Sequence, residues 1–285
     1  AWDGQGYAFH EDGTDLAGWP ITVALPESYQ AALGHKIVRD AKLDLTPAVA
    51  DLDGDGSPEI VVQSQMTEVL DSGIQPLGIS HVFAFHANGA PVTGWPVRLP
   101  TTVEYYGSAQ EFITEGSTAP AVADVDHDGK DEVAVSPVFG PTYLLAGDGQ
   151  LRAVYGPTSN PFAEALAFTP PLDITSGDLP TDAPVTFTTS GAFGNVGGTL
   201  TYAQAGSGAA TVAGALLLTG SGIAIKNYER AYDAATGAAR PGFPAKLQGL
   251  NFLGAPLVAD VDGAGLGDII DGGDSSAMHA FTAAG

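Results

Sequence analysis

Residues 47–62 read PAVADLDGDGSPEIVV, and this stretch decides the fold because two further copies of it follow in the chain. Residues 120–135 read PAVADVDHDGKDEVAV, and residues 256–271 read PLVADVDGAGLGDIID. In each copy, a loop rich in Asp and Gly leads into a short apolar run with β-branched residues. This order predicts a loop followed by a β-strand.

The acids of the first two copies occupy positions 1, 3, 5 and 9, counted from the first Asp of each loop. Carboxylates at positions 1, 3 and 5 can turn toward one centre, where several oxygens replace the hydration shell of a hard cation such as Ca²⁺. Glycine at position 6 allows the sharp turn that this requires. The candidate side-chain ligands are Asp51, Asp53, Asp55 and Glu59 in the first loop, and Asp124, Asp126, Asp128 and Glu132 in the second.

Two other interpretations of these loops are weaker. An EF-hand begins with a similar run of acids, but it needs its last acid at position 12 and an amphipathic helix after it. Here the last acid stands at position 9, and a strand-like run follows. Ordinary turns also favour Asp and Gly, but two nearly identical copies make coincidence a poor explanation.

The three segments resemble the FG-GAP/VCBS repeats of β-propellers of the integrin α-subunit type. In that family, a D-x-D-x-D-G-x-x-[DE] loop joins two strands of a blade and binds calcium, using the carbonyl at position 7 as well. The resemblance implies that the carbonyls of Ser57 and Lys130 complete the first two sites. In the third copy, Ala264 replaces the third Asp, which leaves calcium binding there open. The ligands implied for that copy are Asp260, Asp262, the carbonyl of Leu266, and Asp268.

The loops recur at a spacing of about 70 residues, and the gap before the third copy is about twice as long. A fourth copy is therefore expected near residue 192, where residues 191–198 read GAFGNVGG. We expect this copy to keep its loop and strand but to bind no calcium. A second element recurs as a predicted β-hairpin with a Gly-containing turn, followed by Gly-Trp-Pro at 18–20 and 94–96 and Gly-Phe-Pro at 242–244.

Each repeat thus holds enough predicted strands for one four-stranded sheet. Radial repetition of such sheets is the arrangement of a β-propeller, and a solenoid is the lesser alternative. The sequence predicts an all-β fold: a single propeller domain or segment over residues 1–285, with about four four-stranded blades. Whether these blades belong to a larger ring stays open. The predicted units are 1–45 (partial), 46–116, 117–188, 189–254 and 255–285 (partial).

Composition supports this fold class and limits the partners. The chain has 38 Gly and 20 Pro in 285 residues, which favours short strands joined by tight turns. Its net charge of −23 predicts no nucleic-acid partner, and no apolar run is long enough for membrane insertion. Without cysteine, neither disulfides nor a Cys-ligated zinc site is possible. Weak calcium modules suit extracellular calcium, so we expect a secreted or cell-surface location.

The predicted function is a non-catalytic, calcium-binding module that binds a protein or glycan ligand, as part of a larger secreted or surface protein. Two alternatives stay open: a polysaccharide lyase-like enzyme, and an accessory domain of a secreted protease. A lyase would need a basic side chain in a groove beside a cation, and the sequence shows no such cluster. Trp19 and Trp95 could stack on sugars, but packing between blades is the favoured interpretation.

Overall fold

The computed structural model describes residues 4–24, 36–42, 46–69, 79–99, 103–106, 110–113, 118–136, 142–155, 185–209, 225–247, 254–273 and 277–285. The regular secondary structure in these stretches is β-strand, so the all-β prediction is confirmed. In this part of the chain, no helix has the length and hydropathy needed to span a membrane.

The strands form antiparallel sheets that follow one another along the chain. An N-terminal hairpin pairs β1 (Gln5–Gly6) with β2 (Ile21–Thr22), and the first sheet holds β3 (Lys36–Lys42), β4 (Ala48–Ala50), β5 (Glu59–Val69), β6 (Ile79–Phe85) and β7 (Val97–Arg98). A hairpin of β8 (Val103–Tyr106) and β9 (Gln110–Ile113) precedes the second sheet, which holds β10 (Ala121–Ala123), β11 (Glu132–Val135), β12 (Thr142–Leu145) and β13 (Leu151–Tyr155). The third sheet holds β14 (Val185–Val196), β15 (Thr199–Ala209), β16 (Ile225–Asp233) and β17 (Ala245–Leu247), and the fourth holds β18 (Leu257–Ala259), β19 (Asp268–Gly272) and β20 (Met278–Phe281).

The four sheets succeed one another in the order of the predicted repeat units. Strand β14 runs across the boundary predicted at 188/189. The boundaries at 45/46 and 116/117 fall at or within residues outside the described stretches. Most of the irregular segment 157–188 also lies outside them. The limits of the units therefore stay predictions.

Each acidic loop joins two neighbouring strands in the same register. The residue before position 1 pairs with the acid at position 9, and these pairs are Ala50 with Glu59, Ala123 with Glu132, and Ala259 with Asp268. In the third sheet the corresponding pair is Gly194 with Thr201. The three loops are thus built on one common strand pairing.

The fourth copy of the loop, expected near residue 192, is replaced by a tight turn. Val196 pairs with Thr199, and only Gly197 and Gly198 lie between them. Both glycines have positive φ, at 60° and 83°, as the favoured two-residue hairpin turns require. The expectation that this copy keeps its loop was therefore wrong, because the strands here pair to their ends.

The hydrophobic core lies between consecutive sheets. One cluster joins the first sheet to the second and contains Val61, Val82, Trp95, Val133 and Val135 among its buried residues. A second cluster joins the second sheet to the third, and another joins the third to the fourth. Each sheet thus buries its apolar side chains against its neighbours along the chain.

We call the contact between one repeat and the next a joint. Aromatic side chains donate a hydrogen bond across three successive joints. The indole Nε1–H of Trp19 donates to the carbonyl of Ala87 at 2.9 Å, and that of Trp95 donates to the carbonyl of Gly147 at 2.9 Å. At the next joint, the hydroxyl of Tyr155 donates to the carbonyl of Ala234 at 2.6 Å. Trp19 and Trp95 are nearly buried, so their predicted role in packing between repeats is confirmed.

The glycines of the Gly-Trp-Pro and Gly-Phe-Pro motifs allow this close approach. A Cβ on Gly94 would lie 2.0 Å from the carbonyl oxygen of Asp148, and one on Gly18 would lie 1.9 Å from that of Asn88. These distances are far below van der Waals contact. Any side chain here would push the backbones of two repeats apart.

We predict that Gly94→Ala destabilises the protein much more than Gly13→Ala. Both glycines have positive φ, so both variants carry a backbone strain of about 1–2 kcal/mol. A Cβ on Gly13 meets nothing within 4 Å, whereas the one on Gly94 adds overpacking of about 1–3 kcal/mol. Urea unfolding of the two variants measures the difference. Equal losses would show that the joint between these repeats contributes nothing to stability.

Candidate metal centres

The first acidic loop is shaped by backbone donors that point at its own carboxylates. The N–H groups of Gly54 and Gly56 donate to the two oxygens of Asp51, at 2.8 and 2.9 Å. The N–H of Asp55 donates to Asp53 at 3.1 Å, and the N–H of Ser57 donates to Asp55 at 2.6 Å. These bonds fix the direction of each acid and wrap the chain around one centre.

The second and third loops follow the same path. The N–H of Gly129 donates to Asp124 at 3.0 Å, and the N–H of Gly265 donates to Asp260 at 2.8 Å. Glycine at position 6 has a φ of 82°, 87° and 82° in the three loops. The third loop therefore keeps the backbone of the other two although Ala264 has no carboxylate.

Position 4 of these loops also requires positive φ. Gly54 and Gly263 hold it in the first and third loops, at 78° and 76°. In the second loop His127 holds it at 61°, and this residue has the one positive φ outside glycine among the described residues. Its side chain is exposed, as expected for a residue that takes no part in the site.

The acid at position 9 is buried and binds the backbone at the start of the loop. Its side chain is nearly buried, at 1% exposure for Glu59, 1% for Glu132 and 6% for Asp268. In each loop one oxygen accepts the N–H of position 2, and the donors are Leu52, Val125 and Val261, at 2.9, 2.8 and 3.2 Å. The second oxygen of each acid is left for another partner.

Most of the predicted acids come together in clusters that could hold a metal ion, but Asp128 belongs to none of the clusters among the described residues, and Glu59 is grouped with Asp53 and not with Asp51 and Asp55. In each cluster, one ligand atom from every residue lies within 4.8 Å of the others. The clusters are Asp51 with Asp53 and Asp55, Asp124 with Asp126 and Glu132, and Asp260 with Asp262 and Asp268. Ser57, Lys130 and Leu266 stand at position 7 and are exposed; that their carbonyls are ligands stays a prediction.

The first and second loops are hydrogen-bonded to each other. The N–H of Asp51 donates to the carboxylate of Asp131 at 2.9 Å, and the N–H of Asp131 donates to the carbonyl of Asp51 at 2.8 Å. Asp131 stands at position 8 of the second loop. Its two bonds hold position 1 of the first loop against the neighbouring repeat.

A basic side chain reaches the free oxygen of position 9 in both full-acid loops. His86 Nδ1 lies 3.1 Å from Glu59 Oε1, and Asp53, Glu59 and His86 form a further cluster that could hold a metal ion. In the second loop, Arg152 donates to both Asp126 and Glu132. The hydrogen bond from Arg152 lowers the pKa of Asp126, whereas burial raises the pKa of Glu132.

Three bases therefore meet beside the loops, although the sequence showed no such cluster. His86, Lys130 and Arg152 line a cleft of about 480 Å³ together with Asp53 and Asp148. They come from a strand end, a loop and strand β13, which are separated in sequence. The register of β5 and β6 pairs Ile60 with Phe85, so it could have placed His86 beside Glu59; nothing in the sequence marks Arg152.

No protein-family model matches the chain, and no curated protein matches it. Solved structures that are similar to it include rhamnogalacturonan lyase PL11 of Bacillus licheniformis (17% identity, TM-score 0.49), the exotype rhamnogalacturonan lyase YesX (16%, 0.49) and rhamnogalacturonan lyase YesW (18%, 0.47). The alignments cover 100% of this chain and 45%, 42% and 44% of those proteins, so the chain spans less than half their length. Similarity at this level assigns neither a family nor an activity.

We predict that Arg152→Gln tightens cation binding at the second loop and lowers the stability of the cation-free protein. The guanidinium occupies carboxylates that a cation would use, and without a cation it offsets their repulsion. Arg152 and Asp126 are both about one-third exposed, so the expected change in affinity is only about two- to fivefold. Calorimetric titration and melting in EDTA measure the two effects. Arg98→Gln removes the same charge outside the cleft and should leave the cation affinity unchanged; an unchanged affinity in Arg152→Gln would contradict competition.

We predict that Ala264→Asp raises the calcium affinity of the third loop by about tenfold, or about 1.4 kcal/mol. The backbone already follows the path of the other loops, so the new carboxylate would join Asp260 and Asp262. Without calcium the added charge should lower the melting temperature, and in millimolar calcium the order should reverse. Ala264→Asn is the matched control, because it adds an oxygen without the charge. If all three proteins bind calcium with the same number of sites and affinity, the third loop is not a calcium site.

Proposed function

We propose that this chain is a segment of a calcium-binding β-propeller of the FG-GAP/VCBS type, secreted or displayed at the cell surface as part of a larger protein. Its role in this proposal is to bind a protein or glycan ligand on the face that carries the loops. The observation that carries the proposal is the shared geometry of three acidic loops. Each loop has the same register, the same positive φ at position 6 and the same bond from position 2 to position 9.

The contacts between sheets support an arrangement of blades. The strands that precede the three loops and the Gly197-Gly198 turn lie beside one another in chain order, and they are β4, β10, β14 and β18. Hydrophobic clusters fill the space between successive sheets. A hydrogen bond from an aromatic side chain crosses three successive joints. In a propeller, small antiparallel sheets packed face to face in this way are arranged about a common axis.

The donor set supports calcium as the cation. The loops offer carboxylate and carbonyl oxygens, which are the ligands of Ca²⁺ and Mg²⁺, and they offer them on a flexible turn that suits the larger ion. Three acids meet in each of the first two loops, so a divalent ion would offset the repulsion that the net charge of −23 concentrates there.

The cleft beside the loops supports an anionic group as the part of the ligand that binds there. His86, Lys130 and Arg152 line it, and they lie next to the proposed calcium ions. A carboxylate from a protein side chain or an acidic sugar could contact a basic side chain and a cation at the same time.

The same three bases favour a polysaccharide lyase-like enzyme as a second candidate. A base beside a cation that binds a sugar carboxylate is the arrangement that β-elimination needs. Incubation with acidic polysaccharides, followed by ultraviolet absorbance of the unsaturated product, separates the two candidates. If wild type degrades the polysaccharide and Arg152→Gln or Lys130→Gln does not, the chain is an enzyme. If it binds the polysaccharide without turnover, the result supports the binding module.

We predict that titration of calcium into chelator-treated protein detects at least two sites, and that Asp53→Asn and Asp126→Asn each weaken one of them. Excess EDTA should lower the melting temperature, because calcium at a hundred times its Kd stabilises the native state by about 2.7 kcal/mol per site. Asp148→Asn, in the cleft but outside the loops, is the control that should keep the number of sites. No binding heat together with an unchanged melting temperature in EDTA would overturn the assignment.

A further inference from the structure

Equivalent positions at successive joints between sheets carry three different kinds of side-chain pair. On β6, β12 and β16, the position concerned lies one residue before the strand partner of loop position 12, and it holds Val82, Thr142 and Glu229 in turn. The facing residue is position 12 of the next sheet, which is Val135, Gln204 and Asp271 in turn. The series therefore compares one joint with another at a fixed place in the fold.

The first two pairs meet without any charge. Val82 and Val135 belong to one hydrophobic cluster between the first and second sheets. At the next joint, the hydroxyl of Thr142 donates to Gln204 Oε1 at 2.9 Å, and both side chains are buried. This position thus accepts either an apolar contact or a hydrogen bond between neutral groups.

The third pair consists of two acids that face each other out of water. Glu229 has 0% exposure and Asp271 has 6%, and the two side chains lie within hydrogen-bonding reach. Neither oxygen of Glu229 makes a hydrogen bond of normal geometry among the described residues. Burial raises the pKa of Glu229 against an opposing effect of the nearby Gln204 backbone, and Asp271 accepts the N–H of Gly272 at 2.7 Å. Two carboxylates cannot bond each other, since both only accept. One added proton supplies the missing donor.

We propose that Glu229 and Asp271 share one proton across the joint between the third and fourth sheets. The protonated carboxyl then donates to its partner, as the hydroxyl of Thr142 donates to Gln204 at the preceding joint. Loss of that proton leaves two buried like charges opposite each other and weakens the contact between the two sheets. The joint is therefore a pH-sensitive element that is firm in acid and loosened in alkali.

The surroundings of the pair agree with a retained proton. Burial and the neighbouring Asp271 raise the pKa of Glu229 well above its ordinary value. The other titratable or charged groups that interact with Glu229 are Tyr202 on β15, and Arg230 and Tyr232 on its own strand; His279 lies opposite Asp271 in the ladder of β19 and β20. A calcium ion would need six to eight oxygens, and the pair belongs to none of the described clusters of three or more possible metal ligands.

The test compares the pH dependence of unfolding in wild type, Glu229→Gln and Thr142→Val, all in saturating calcium so that the loops stay filled. Above the ordinary glutamate pKa of about 4.3, the unfolded chain has released the proton that the native pair retains. Unfolding then releases up to one proton, and the unfolding constant rises with pH by up to about tenfold per unit relative to Glu229→Gln. Thr142→Val removes an uncharged bond and should weaken the protein equally at every pH.

Infrared spectra give a second readout that does not depend on stability. Native wild type at neutral pH should show the carbonyl band of a protonated carboxyl, and this band should be absent from Glu229→Gln or, if that variant fails to fold, from Asp271→Asn. Parallel pH profiles in wild type and Glu229→Gln would overturn the proposal. So would the absence of the band combined with stabilisation of wild type alone by added cations at alkaline pH, because a cation would then replace the proton.

Discussion

Burial of apolar side chains between consecutive sheets is the constraint on which the rest of the structure depends. Each sheet is small, so it can form a core only against its neighbours. The joints fix the distance between repeats, and they thereby fix the distance between the acidic loops that follow β4, β10 and β18. The bonds of Asp131 to Asp51 are a direct result, because position 8 of one loop reaches position 1 of the loop before it.

Two of the few basic side chains lie where the acids are most concentrated. The chain has only 10 Lys and Arg against 33 acids, yet Lys130 and Arg152 both lie in the cleft beside the densest acids. A basic side chain is of most use where carboxylates crowd together. At the joint of Glu229 and Asp271 no described base forms a hydrogen bond or ion pair with Glu229, and there the proposed means of removing charge is a proton.

Local patterns in the sequence were enough to predict the strands, the acidic loops and the positive φ of their glycines, since each depends on a few adjacent residues. They failed where the outcome depends on distant partners. The Gly197-Gly198 turn could have been recognised as a hairpin signal, but the expected repeat length favoured a loop. Tyr155 takes the role of a Trp by offering a hydroxyl at the same place, and only the packing of the next repeat shows this.

The two-glycine turn of the third sheet has a consequence for recognition. Around a face built from repeats, equivalent loops would offer a ligand several indistinguishable orientations. Here acids follow β4, β10 and β18, whereas only Gly197 and Gly198 follow β14. If the proposed binding face exists, the missing loop gives it one distinct direction, and an extended ligand that contacts several repeats would bind it in a single orientation.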